Sequence, residues 1–267
     1  MFVTALPLSD RARRTARRAV RRGVLPVALC AGLATAVTAC GGEDPDAGTN
    51  GVGRLSATQI EHKAQAAVES ASAVRLAGAL VTQGETYKLN MRLKKTGGSG
   101  SVTSKNSTFE LLRVEDALFL KADAGFWSRG TAGAKGGAPS GDTDSEAAHK
   151  LDDKYVKVPE DDPAYKQLRG FTDMNVLLDG LLTLNGELAK GDRDKIGGVR
   201  AIEVSAAEGK GGSLDVSLEG TPYPLQLERA GGAGTLTLSE WGRDFALAAP
   251  AKGQTVDYGS KLPRAKD

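Results

Sequence analysis

The stretch Tyr87-Lys88-Leu89-Asn90-Met91-Arg92-Leu93-Lys94 decides the fold class of this chain of 267 residues. Apolar and polar side chains alternate over the whole stretch. Because successive side chains of a β-strand point to opposite faces, this period of two predicts a strand with one apolar face and one face in water. Similar segments lie near 74–82, 101–104, 108–114 and 117–121, separated by glycine-rich or acidic connections. Together they predict an antiparallel meander.

Helices and a second meander surround this first one. Ser56 begins a capping box with Gln59, which predicts a helix over 57–72. Asp162-Pro163 and Thr172 mark the starts of two further helices, the second with a broad apolar face. Alternating segments return over 199–238, and a final short strand is expected near 255–256. We therefore predict an α+β fold: one curved antiparallel sheet, a half-barrel, with helices packed on its concave face. The polar face of each strand excludes a parallel sheet covered on both sides.

The N-terminus has the three parts of an export signal. Seven arginines lie between Arg11 and Arg22, an apolar stretch follows over 24–39, and the stretch ends in Val37-Thr38-Ala39-Cys40. The apolar part is shorter than the roughly 20 residues that a membrane-spanning helix needs. The tetrapeptide resembles the lipobox of bacterial prolipoproteins. It predicts that the signal peptide 1–39 is removed and that Cys40 is acylated with palmitate-like chains. These chains would anchor the protein at the outer face of the cell membrane. The sequence is compatible with export by the Sec route and by the twin-arginine route.

Composition limits the function of the mature chain. Without residues 1–39, Lys+Arg falls to 28 and Asp+Glu to 32, so the net charge becomes −4 and gives no basis for nucleic-acid binding. Cys30 lies in the signal peptide and Cys40 is committed to the lipid, which leaves no thiol for a disulfide. We predict a flexible tether over 40–54, which is polar and glycine-rich, a domain over 55–258 and a C-terminal tail over 259–267.

The sequence lacks the usual constellations of an enzyme. His62 and His149 are the two histidines, and they do not have metal-ligand spacing. No Gly-x-Ser-x-Gly or Ser-x-x-Lys motif is present. The acidic pairs at 152–153 and 161–162 are typical of turns and helix starts. We therefore predict a protein that is not an enzyme and that holds no metal and no cofactor.

The apolar faces are the remaining candidates for a function. They could line a lipid cavity, or they could form a solid core, which periodicity alone favours because most amphipathic elements pack tightly. A cavity would need no catalytic group, since each buried acyl CH₂ contributes about 0.8 kcal/mol. The candidate cavity residues are Leu89, Met91, Leu93, Phe109, Leu111, Phe119, Leu177, Leu181 and Leu182.

An ordered set of segments behind the lipobox carries a family resemblance. These are Leu118-Phe119-Leu120-Lys121-Ala122-Asp123 leading to Phe126-Trp127, Lys154-Tyr155-Val156-Lys157-Val158, Gly220-Thr221-Pro222-Tyr223-Pro224-Leu225, and Trp241-Gly242 before Ala249-Pro250. Over roughly 55–258 the chain resembles the LppX/LprAFG lipoproteins of actinobacteria. It departs from them in a Gly/Ala-rich loop over 128–142.

The resemblance implies a half-barrel similar to the lipoprotein carrier LolA, with an apolar cavity between sheet and helices. It implies a protein that binds acylated lipids or glycolipids and carries or displays them in the cell envelope. Its partners would be a membrane lipid or glycolipid, the membrane surface through acylated Cys40, and an envelope transporter. The alternative is a tethered, non-enzymatic interaction or sensor module with a solid core.

Overall fold

The structure is a computed structural model that describes residues 44–82, 84–105, 107–128 and 149–257. The predicted signal peptide, Cys40, the C-terminal tail over 259–267 and most of the Gly/Ala-rich loop over 128–142 lie outside the described residues.

The described strands form one sheet of twelve strands in the order β12-β6-β5-β4-β3-β2-β1-β11-β10-β9-β8-β7. Every neighbouring pair is antiparallel except β12 and β6, which are parallel. The first meander comprises β1 (Ala73–Thr82), β2 (Glu85–Lys94), β3 (Gly97–Thr103), β4 (Thr108–Val114), β5 (Ala117–Ala122) and β6 (Tyr155–Val158). The second comprises β7 (Leu188–Ile196), β8 (Val199–Ala206), β9 (Ser213–Ser217), β10 (Pro224–Glu228) and β11 (Gly234–Ser239), and β12 (Thr255–Val256) returns to β6.

The two meanders join where β1 pairs with β11, for example at Leu76 opposite Leu238. This makes the sheet single, open and predominantly antiparallel, as the sequence predicts. The prediction missed β7, whose residues between Leu188 and Ile196 are all exposed. A strand at the edge of a sheet can carry charges along its length, so it lacks the apolar alternation on which the prediction rests.

Four described helices accompany the sheet: α1 (Ala57–Ser70), α2 (Ala124–Ser128), α3 (Pro163–Gly170) and α4 (Met174–Leu182). The capping box predicted for α1 is present, with the Ser56 hydroxyl accepting from the Gln59 N–H and the Gln59 side chain accepting from the Ser56 N–H. The Asp162 side chain caps α3 by accepting from the Ala164 N–H. Asp173, and not the predicted Thr172, caps α4, where its side chain accepts from the Val176 N–H. Because β6 and β7 lie towards opposite edges of the sheet, the segment 159–187 that carries α3 and α4 must cross it.

The turns of the meanders lie at two ends of the sheet. We call one the closed end, which comprises the turns at 95–96, 115–116, 197–198 and 219–222. The other is the open end, which comprises the turns at 207–212 and 229–233 together with α2. The segment with α3 and α4 enters beside the closed end, after β6, and reaches β7 at the open end.

The part of the predicted tether that the structure describes, 44–54, is docked on the closed end. The backbone N–H of Asn50 donates to the Leu218 carbonyl at 2.8 Å. The side-chain amide of Asn50 donates to the carbonyls of Ser217 at 2.9 Å and Gly220 at 3.1 Å. Val52 is buried in the core. The sequence predicts a flexible tether over these residues, whereas the structure places them in contact with residues that are distant in sequence.

Candidate functional site

One face of the sheet is a continuous apolar surface, which we call the inner face. The pairing register places Leu76, Met91, Gly100, Leu111, Leu120 and Val156 side by side across six strands, β1 to β6. Leu214, Val216, Ile202, Val204, Leu227 and Leu236 extend the same buried cluster across the second meander. The buried sides of α1 and α4 belong to this cluster too, so both helices cover the inner face.

The structure brings most of the predicted cavity residues together. Leu89, Met91, Leu93 and Leu111 lie on the inner face, and their exposed fractions are 3%, 0%, 0% and 1%. Leu181 and Leu182 of α4 are buried in the same cluster. Phe109 and Leu177 pack against it and remain partly exposed. These eight residues therefore divide into a sealed group and a half-buried group.

Phe119 does not lie with the others. It pairs with Leu112 and Lys157, whereas its neighbours Leu118 and Leu120 pair with Arg113, Leu111, Val156 and Val158 of the inner face. Phe119 is buried on the opposite, outer face and is not part of the inner cluster. Its assignment to the cavity is corrected for this reason. In Leu118-Phe119-Leu120 all three residues are buried, so alternation cannot identify the inner side.

Burial along the inner face differs between the two ends of the sheet. Near the closed end, Val74, Leu93, Leu118, Val158 and Leu218 are at most 2% exposed. Near the open end Val102, Trp127 and Leu151 are buried as well, but five side chains that pack against the core are only partly buried. They are Leu80, Tyr87, Phe109, Phe126 and Leu184. The inner face therefore has a group of partly exposed side chains at the open end, although Phe171 and Trp241 near the closed end are partly exposed too.

Aromatic side chains line the open end. The rings of Phe109 and Phe126 are 5.5 Å apart, and Phe126 meets Trp127 edge-on at 5.3 Å. The indole N–H of Trp127 donates to the Ala122 carbonyl at 3.2 Å, which fixes α2 against the end of β5. We call the half-buried set Leu80, Tyr87, Phe109 and Phe126 the mouth.

A buried arginine, Arg113, lies at the closed end of the inner face. The sequence does not predict its burial, because an arginine is expected to be exposed. Arg113 of β4 points to the inner face and is 3% exposed. Its Nε and Nη2 donate to the hydroxyl and carbonyl of Thr172 at 3.1 and 2.9 Å, and Nη1 donates to the Glu115 carbonyl at 2.6 Å. Burial lowers the pKa of Arg113, and the charge of Asp173, 3.9 Å away, opposes that shift. Arg113 therefore holds the junction of α3 and α4 on the sheet.

A glycine beneath that junction lets it approach closely. A Cβ at Gly98 would lie 2.6 Å from Leu93 Cδ2 and 3.1 Å from the Thr172 carbonyl oxygen. The close approach could have been suspected from the glycines at 97, 98 and 100, which the structure places within β3 and not in a hairpin turn.

The described residues include neither a cluster of metal ligands nor a membrane-spanning helix. Among them, no three His, Cys, Asp or Glu side chains are grouped so that they could hold a metal ion. None of the described helices combines the length and the apolar character that crossing a bilayer requires. What the inner face can do chemically is bury apolar surface. That the protein is not an enzyme remains a prediction.

No protein-family model and no curated protein sequence matches the chain. Among solved structures, LprF from Mycobacterium bovis superimposes with a TM-score of 0.50 and 14% sequence identity, over 73% of this chain and 97% of LprF. The lipoprotein LppX from Mycobacterium tuberculosis gives a TM-score of 0.42 and 11% identity, over 72% of this chain and 98% of LppX. The chain therefore shares the fold of LprF, in agreement with the family resemblance and the fold class predicted from the sequence.

Proposed function

We propose that the protein is a lipoprotein, anchored through acylated Cys40, that binds the acyl chains of a lipid or glycolipid at the mouth of its inner face. The observation that carries this proposal is the group of half-buried aromatic and aliphatic side chains in the mouth, at the end of the inner face opposite the buried Arg113. About ten buried methylenes would contribute about 8 kcal/mol, which corresponds to a micromolar Kd before the costs of association. Such a site would carry or display lipids in the cell envelope.

The lipid would contact different members of the predicted set to different degrees. Phe109 and Leu177 are half-buried, so an acyl chain can reach them first. Leu89, Met91, Leu93 and Leu111 are covered, so a chain that extends deeper must displace α4, whose Leu181 and Leu182 lie in the same cluster. The binding site would therefore be the mouth, and it would extend to the covered residues only when α4 moves away from the sheet.

The experiment uses the secreted chain with Cys40→Ser, purified from its own host and examined by native mass spectrometry. We expect bound acylated molecules. After delipidation, titration with cis-parinaric acid should show binding that Phe109→Asp weakens about tenfold, because a carboxylate in the mouth must be desolvated. Val176→Asp is the control, since Val176 is 60% exposed on α4 and should leave binding unchanged.

A protein that is uniformly free of ligand and does not bind cis-parinaric acid would contradict the proposal. The same outcome would favour a second function, a tethered interaction or sensor module. The full burial of Met91 and Leu93 supports that alternative, because a filled inner face leaves only outer surfaces for recognition. Cross-linking in cells should then recover one protein partner equally from the parent and from Phe109→Asp.

A further inference from the structure

The docking of residues 44–54 has a consequence for how the protein sits on a membrane. Two arginines of the second meander hold the residues before Asn50. Arg193 donates to both carboxylate oxygens of Asp46 at 2.8 and 3.0 Å, and the Asp46 side chain is 8% exposed. Arg200 donates to the carbonyls of Ala47 at 3.1 Å and Gly48 at 2.7 Å. The docked segment therefore reaches back to about Asp44.

The length of chain between the docked segment and the anchor is short. Cys40 precedes Asp44 by four residues, which span at most about 14 Å. A free linker over all of 40–54 could extend to about 50 Å. A domain of about 200 residues is roughly 35–45 Å across. The docked chain can therefore bring only the surface near Asp44 to the bilayer, whereas a free linker would permit any orientation.

We propose that the closed end of the sheet, at the turn 197–198 and the docked residues 44–50, lies against the lipid headgroups of the bilayer that holds Cys40. This inference rests on the acylation of Cys40 in the proposed function. The mouth then faces away from that bilayer. Because β8 runs from the closed end to the open end over eight residues, the two ends are about 25 Å apart. Lipid exchange at the mouth takes place with a second carrier or membrane and not with the anchoring leaflet.

The covalent link sets this orientation, and charge does not. The arginines in and beside the docked segment are matched by carboxylates: Arg54 with Asp44, Arg193 with Asp46 and Arg200 with Glu219. A surface of paired charges has little net attraction for anionic headgroups. The orientation should therefore be the same on neutral and anionic bilayers and at high salt.

Fluorescence energy transfer from the protein to the bilayer tests the proposal. The acylated protein, expressed from the full chain, is placed in phosphatidylcholine vesicles that contain a rhodamine-labelled lipid. Donor dyes are attached at Lys195→Cys, which lies in β7 opposite Arg200 near the closed end, or at Lys210→Cys in the turn 207–212 at the open end; both positions are exposed. Each variant has one free thiol, because Cys30 leaves with the signal peptide and Cys40 is acylated. We expect transfer several-fold stronger from position 195, unchanged by salt or by added phosphatidylglycerol.

A variant in which the docked segment 44–54 is loosened serves as the control for the intact protein. Asp46→Ala combined with Asn50→Ala removes the polar contacts that the side chains of residues 44–50 make with the second meander, and the difference between positions 195 and 210 should then become smaller. Equal transfer from both positions in the intact protein, or stronger transfer from position 210, would overturn the orientation. If the transfer contradicts the orientation but the protein still binds cis-parinaric acid and floats with the vesicles, the proposed lipid binding and anchoring both stand. A protein that does not float with vesicles would overturn the anchoring as well.

Discussion

At the scale of single residues, Arg113 is the group whose removal should cost the most. Arg113→Met fills similar space but leaves the carbonyls of Thr172 and Glu115 without their donor. Unpaired buried acceptors are costly, so we expect a loss of about 2–4 kcal/mol in the free energy of unfolding by urea. Arg169→Met is the control, because its 3.4 Å ion pair with Asp116 is exposed and should contribute at most about 0.5 kcal/mol. Equal losses in the two variants would contradict the role of Arg113.

Asp215 on the outer face should make stability depend on pH. Burial raises its pKa to about 6, and Glu203, Glu228 and Asp194 add to the shift, while a hydrogen bond from Gln226 opposes it. The folded state holds this proton more tightly than the unfolded state, whose Asp titrates near 4. Stability is therefore lost as pH rises from about 4 to above 6.

Asp215→Asn removes this titration. We expect the variant to match the parent near pH 4 and to be more stable by roughly 1–2 kcal/mol at pH 7, after allowing for solvent screening. Urea unfolding across this range measures the difference. A constant difference at all pH values would show that Asp215 does not titrate there.

At the scale of elements, the contact between β3 and the α3–α4 junction depends on the absence of a side chain. Gly98→Ala would place a Cβ 2.6 Å from Leu93 Cδ2 and 3.1 Å from the Thr172 carbonyl oxygen, so the buried Leu93 and the junction must both adjust, at a cost of about 1–3 kcal/mol. Gly180→Ala is the matched change in α4, where the new Cβ meets nothing within 4 Å. It should stabilise by about 0.5–1 kcal/mol, because alanine favours a helix over glycine. Thermal unfolding of both variants should therefore shift in opposite directions.

The elements that the sequence could predict are those whose burial follows a period. β2 alternates cleanly, so its sequence predicts that Leu89, Met91 and Leu93 share one apolar face, and the structure buries all three. The docked segment 44–54 could not be predicted, because Asn50 and Arg193 find partners more than 100 residues away. Periodicity records which side of one element is buried. It contains no record of polar contacts between distant parts of the chain.

At the scale of the whole molecule, the order of the strands explains why the inner face has two different ends. The segment with α3 and α4 must cross from the first meander to β7 because their strands lie far apart in the sheet. Arg113 fixes the start of this crossing at the closed end. Its far end runs into β7 near Leu184, which is only partly buried. The crossing is therefore fixed to the sheet at the closed end, beside the first meander, and ends at the open end, beside the second.

An open sheet also leaves edges, and in the described residues β7 is one of them. Its central residues are exposed and charged, and its pairing with β8 is irregular between Lys190 and Arg193. Charges and bulges on an edge oppose pairing with a second chain. Replacing Asp192, Asp194 and Lys195 together with Thr should therefore cause association that increases with concentration, measured by sedimentation velocity.

The matched control makes the same charge changes away from the sheet. Asp161→Thr, Asp179→Thr and Lys166→Thr alter exposed side chains outside the strands and should leave the sedimentation of the parent unchanged. Association of both triple variants would indicate a general effect of charge on solubility. Association of the β7 variant alone would show that these side chains protect the edge, because threonine favours strands and removes the repulsion between like edges.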